Sequence, residues 1–146
     1  MNQESKQIMQ ELYAAINARN LDRASAFFSD NGEFKVIAFD KAARGSREIR
    51  QLFDDWIRAF PDLKLDTKNI FAAEGAAAAE LLVQGTHKGT FKTPGGEIPA
   101  TGKNVRVPAC DVIQTRNGKI TSLHCYLESG TMMRQLGIAT AKASAA

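Results

Sequence analysis

Residues 105–120 read VRVPACDVIQTRNGKI. Every second residue from Val105 gives Val107, Ala109, Asp111 and Ile113, a face with the period of a β-strand that is apolar except for one carboxylate. An ionisable group among side chains that belong in a core is costly unless it has a partner or a chemical task. Asp111 is therefore the first candidate for function.

The Asn117-Gly118 step predicts a hairpin, and two registers of it are open. A two-residue turn pairs Arg116 with Lys119, and sets Asp111 opposite His124 and Cys110 opposite Cys125. A three-residue loop with Gly118 in the left-handed position pairs Thr115 with Lys119, sets Asp111 opposite Leu123 and puts Cys125 beside Ala109. Thr121, Leu123, Cys125 and Leu127 form the more apolar face of the second strand, and Ile120, Ser122, His124, Tyr126 and Glu128 the more polar one. Apolar faces of paired strands should coincide, which favours the three-residue loop. Asp111 then shares its wall with Leu123, Cys125 and Leu127, and His124 lies behind the sheet.

Working outward, LKLDTKNIFAAEG and AAAAELLVQGTHKGTF alternate as strands before this hairpin. Between them and the hairpin, KTPGGEIPATGKN is a long Gly- and Pro-rich loop at residues 92–104, able to overhang one end of the sheet. Upstream, Ile8, Leu12, Ala15 and Ile16 recur at helical spacing; a corner at ARNLD and a second short helix with Leu21, Ala24, Phe27 and Phe28 follow. A strand is expected around Glu33 to Ala38. Ser46 is the expected N-cap of a helix with Ile49, Leu52, Phe53, Trp56 and Phe60 on one stripe, stopped at Pro61. MMRQLG after the last strand reads as a short terminal helix. Helices followed by a four-stranded antiparallel meander make an α+β fold, in which a strongly curved sheet wraps the helices and encloses a pocket.

The 146 residues, 44% of them hydrophobic, suit one domain, with an ordered core over about 5–137 and a frayed tail at 138–146. A net charge of +3 from scattered Lys and Arg argues against nucleic acid as a partner. No apolar run reaches the roughly 18 residues of a membrane helix, and MNQESKQ lacks the layout of a signal peptide, so a cytoplasmic location is expected. Two cysteines without CxxC or Cys/His spacing indicate neither a zinc site nor a disulfide framework.

His87 in GTHKGTF alternates with Val83, Gly85 and Phe91 and is a candidate proton carrier, since an ordinary histidine titrates near neutrality. Phe53, Trp56 and Phe60 on the helix stripe, Val107 and Ala109 on the face of Asp111, and Met132 in the terminal helix are candidate pocket residues. Cys125 reads as an inert wall residue, with neither a cation nor a helix N-terminus evident to activate it.

The segments YAAINARNLDRASAFFSD, GSREIRQLFDDWIRAFPDLKL, GTHKGTF, PATGKNVRVPACDV, RNGKI and RQLG, in this order, resemble the SnoaL-like polyketide cyclases of the nuclear transport factor 2-like superfamily. The resemblance runs from about Met9 to Gly137 and implies a cone-shaped α+β domain around an apolar pocket, a homodimer, and cofactor-free chemistry on an apolar carbonyl compound. Such cyclases close a ring by an aldol reaction with an aspartate on the last strand as acid/base; the matching position here holds Cys125, and Asp111 matches a histidine. In the related ketosteroid isomerase, a tyrosine and a protonated aspartic acid form an oxyanion hole, and the matching residues are Tyr13 and Asp111. The base of that enzyme falls near Val36, with Asp40 four residues on. The resemblance thus implies Asp111 as acid/base or oxyanion donor, assisted by Tyr13 and His87. The alternative is a non-catalytic protein of the same fold that binds a small apolar ligand or acts through dimerisation.

Overall fold

The computed structural model describes residues 2–138; the tail expected beyond them lies outside the described residues. Helices α1 (Asn2–Asn17) and α2 (Leu21–Ala26) come first, then strand β1 (Phe28–Val36), a 3-10 turn (Ile37–Phe39), β2 (Lys41–Arg44) and α3 (Gly45–Ala59). Strands β3 (Lys64–Ala73), β4 (Ala76–Thr86), β5 (Phe91–Thr93), β6 (Gly96–Ile98), β7 (Asn104–Arg116) and β8 (Lys119–Leu127) follow, and α4 (Ser129–Leu136) closes the described chain.

The main sheet runs β2-β1-β8-β7-β4-β3, and β5 and β6 form a separate small hairpin. All its pairings are antiparallel except that of β1 with β8, so the expected meander β3, β4, β7, β8 is joined at its far edge by a strand from the first third of the chain. β1 begins at Phe28 rather than Glu33 and ends at Val36, because α2 stops at Ala26 and Phe28 enters the core as a strand residue, 4% exposed. Ser46 does not cap α3. Arg44 holds the N-cap position without a side-chain bond of its own, and Glu48 in the first turn reaches back so that its Oε1 accepts the Arg44 backbone N–H at 2.9 Å.

The loop 92–104 contains the β5–β6 hairpin. Its base is tied down: His87 N–H donates to Lys103 O at 2.9 Å, and the N–H groups of Lys88 and Gly89 both donate to Ala59 O. Gly89 is required there, since a Cβ would stand 2.1 Å from the Arg58 carbonyl oxygen.

The β7–β8 hairpin corrects the favoured register. Asn117 and Gly118, with φ of 54° and 75°, form a two-residue turn that pairs Arg116 with Lys119. Thr115 pairs with Ile120 but Gln114 pairs with Ser122, which leaves Thr121 as one extra residue on β8. Neither sequence-derived pairing of Asp111 survives this bulge: its partner is Cys125, while His124 faces Val112 and Ala109 faces Leu127. The physical reason is burial. In an unbroken strand Ile120 and Leu123 would face opposite ways, whereas the extra residue lets both be fully buried. The faces still match as the burial argument required, with Leu123, Cys125 and Leu127 on the wall of Asp111.

Inside the curve, α1 packs across β3, β4 and β7, and α3 packs against β1. Met9, Leu12, Ile49, Phe60 and Leu123 are completely buried between these layers. Among the described residues no helix is long and apolar enough to cross a membrane.

Candidate functional site

Tyr13 lies on the buried face of α1 and Asp111 on the concave face of β7, and the packing of helix on sheet brings them together. The phenolic O–H of Tyr13 donates to Asp111 Oδ2 at 2.8 Å. Asp111 is only 5% exposed, and its other oxygen, Oδ1, has no hydrogen-bond partner. Burial pushes the carboxyl up to about 6; the hydrogen bond from Tyr13, and the neighbouring Cys125 thiol across the strand pair, pull the other way. The same burial, with the carboxylate alongside, raises the Tyr13 hydroxyl far above its ordinary range, so it stays a donor. Burial also raises the Cys125 thiol well above the ordinary range, and it remains protonated.

Tyr13, Asp111 and Cys125 line a cavity of about 70 Å³. One water needs roughly 10–15 Å³, so the space admits a compact organic group rather than a single solvent molecule. Trp56, Phe53, Val83, Leu123, Cys125 and Leu127 line it, as does Val36. Leu12, Ile16, Phe34, Ile57, Leu63, Leu65 and Leu81 complete the wall and were not among the candidate pocket residues. Leu65 alternates with Leu63 in LKLD and Ile57 directly follows Trp56, so period alone marked them as buried without saying that they face a space.

The structure does not bring every candidate to this cavity. Phe60, Phe91, Val107, Ala109 and Met132 are buried but do not line it. Phe60 and Phe91 instead form an aromatic cluster with Trp56, at ring distances of 6.1 and 5.2 Å from it. His87 joins that cluster, 5.4 Å from the Phe60 ring, and is fully buried. Its Nδ1 accepts the backbone N–H of Thr101 at 3.2 Å, with the Thr101 hydroxyl at 3.0 Å, and burial lowers its pKa. A ring nitrogen that accepts from a backbone amide cannot carry a proton, so His87 is neutral and clasps the loop above it. Asp40 is at the surface near Lys35, 3.7 Å away, and does not supply a second acid. His124 is on the outer face, 3.1 Å from Glu33 Oε2. Among the described lining residues Asp111 is the one carboxylate.

The family model for the SnoaL-like polyketide cyclases matches residues 6–136. The chain belongs to this family. Solved structures agree on the fold. AclR of Streptomyces galilaeus, proposed to be a hydroxylase, is 25% identical, with a TM-score of 0.79 over 94% of this chain and 98% of its own. A proposed SnoaL-like cyclase of Jannaschia is 13% identical, with a TM-score of 0.81 over 94% of each chain. A protein of Catenulispora acidiphila with a ketosteroid isomerase-like fold, solved with trimethylamine, is 18% identical, with a TM-score of 0.77 over 90% of this chain and 93% of its own. No curated protein matches. Cys125, at the position where the resemblance to the cyclases implied an acid, and Val36, near the position where the comparison with ketosteroid isomerase implied one, both line the cavity, as a protonated thiol and an isopropyl group.

Proposed function

We propose that the protein is a cofactor-independent enzyme that moves a proton on the carbon beside a carbonyl group of a compact apolar compound, with Asp111 as the proton carrier. The observation that carries this reading is Asp111 Oδ1, buried, unpartnered and beside an apolar cavity. With its pKa near 6, Asp111 is mostly ionised at neutral pH and serves as the base; once protonated, it can return the proton or donate to the developing enolate oxygen. Tyr13 spends its hydrogen on Oδ2 and so holds the carboxyl, leaving Oδ1 for the substrate. Isomerisation, dehydration and aldol ring closure share this enolisation step.

Enolisation can be tested before any product is known. Wild-type protein in deuterated water should exchange the α-hydrogens of some members of a panel of apolar ketones, followed by proton NMR, and Asp111→Asn should not. Exchange that is unchanged in the variant would remove Asp111 from the chemistry. The second reading, a pocket protein that only binds its ligand, is favoured by the absence of an acid at Val36 and Cys125. Ligand-induced shifts of the cavity resonances without any hydrogen exchange would select it.

We also propose a homodimer through the outer face of the sheet. Phe71 on β3, Val112 on β7 and Tyr126 on β8 share that face and are 65%, 37% and 49% exposed. Sedimentation of Val112→Lys against wild type tests it; a wild-type monomer at all concentrations would refute it.

A further inference from the structure

The charge pattern of the cavity points to a class of ligand beyond the carbonyl compound of the proposed reaction. We propose that the cavity binds compact apolar amines in their protonated form, with the ammonium N–H on Asp111 Oδ1 and the carbon body against the aromatic wall.

The cavity lining contains one acid and, among the described residues, no Lys, Arg or His. Tyr13 satisfies only Oδ2, so the carboxylate is left with an oxygen that accepts from nothing in the protein. A donor on the ligand fills that position. Of the possible donors, an ammonium also compensates the negative charge, and Phe34, Phe53 and Trp56 line the same space, where the face of an aromatic ring attracts a cation. An anionic ligand meets the opposite situation: it would bring a second negative charge beside the carboxylate with no cation to pair with. Neutral alcohols can donate to Oδ1 but leave the charge uncompensated. The order expected is amine, then alcohol, with carboxylates excluded.

This inference rests on the cavity being the ligand site but not on catalysis there. Propylamine, 1-propanol and propionate share one short chain and differ in charge, so NMR titration of the resting protein separates the classes. At pH 8 propylamine should bind at least tenfold more tightly than 1-propanol, and propionate should not bind. Below about pH 6, where Asp111 takes up its own proton, propylamine affinity should fall about tenfold per pH unit. Asp111→Asn should bring amine and alcohol to equal affinity. Equal binding of the two by wild type, a flat pH profile, or tight propionate binding would overturn the proposal, and the pH arm needs no variant to fold. If amines fail to bind while Asp111→Asn still loses α-hydrogen exchange, only this inference falls. If amines bind as expected and no exchange is seen, the catalytic reading falls instead.

Discussion

Tyr13 and Asp111 are 98 residues apart in the chain and joined by a 2.8 Å hydrogen bond between the first helix and the seventh strand. Tyr13 stabilises the ionised form of Asp111, against the burial that opposes it. Tyr13→Phe should therefore raise the Asp111 pKa above about 6, by roughly one to two units if the bond to the charged form contributes about 1.5–3 kcal/mol. Carboxyl-carbon NMR titration of the two proteins measures this directly. A pKa that stays in place would mean that the hydrogen bond does not hold the carboxylate.

Asp111 should cost the fold stability at neutral and alkaline pH. Its folded pKa of about 6 lies above the ordinary value of 3.8, so the folded state binds the proton more tightly than the unfolded chain does. The favourable contribution is complete below about pH 3.8 and is lost as pH rises through about 6. The shift of about two units corresponds to about 3 kcal/mol. Asp111→Asn, which keeps an acceptor for Tyr13, should be more stable than wild type by up to that amount at pH 8 and close to it at pH 4. Urea unfolding at the two pH values checks the sign, and a variant less stable than wild type at pH 8 would contradict it.

His87 works in the opposite direction. Burial lowers its pKa below the ordinary 6.5, and Nδ1 must stay unprotonated to accept from Thr101 N–H. Its contribution is present above about pH 6.5 and declines as pH falls below that value, because the unfolded chain then takes up a proton that the folded one resists. The loop 92–104 should loosen first. Hydrogen exchange at the amides of Thr101 and Gly102, corrected for intrinsic rate, should lose protection between pH 7 and 5 ahead of the amides of β7. Uniform protection across that range would show that the clasp is not made by the neutral imidazole.

Gly89→Ala should destabilise the protein by about 1–3 kcal/mol, since the new Cβ would lie 2.1 Å from a backbone oxygen that cannot move without disturbing the end of α3. Gly96→Ala is the control, with no atom within 4 Å, although its φ of 122° carries strain of its own. Thermal unfolding should show a larger loss for the first than for the second, and equal losses would mean that the α3 terminus yields easily.

Much of the architecture was legible in local pattern. The stripes of α1 and α3, the four-stranded meander and the place of the hairpin at Asn117-Gly118 follow from period and turn chemistry, although the favoured three-residue loop gave way to a two-residue turn, and Asp111 stood out because one acid interrupts an apolar face. The residues that were misplaced share a cause. Ser46 has the composition of a cap, but the chain enters α3 through Gly45, whose φ of +79° is left-handed, and the side-chain acceptor at this helix start is Glu48, which takes the Arg44 N–H. His87 shares its period with Val83 and Phe91 and is buried as expected, yet the same burial directs it to Thr101 and not to the cavity.

What the sequence by itself determined is which side chains leave water, because hydrophobic burial follows the repeat of the element that carries them. What only the tertiary structure decided is the chemistry left at the buried carboxylate. A single extra residue at Thr121 set Cys125 rather than His124 or Leu123 across from Asp111, and the docking of α1 delivered one donor to one of its two oxygens. A bulge is selected by the sum of burial over a whole strand, and a helix-to-sheet contact by packing between segments far apart in the chain. Neither leaves a mark in any short window of residues.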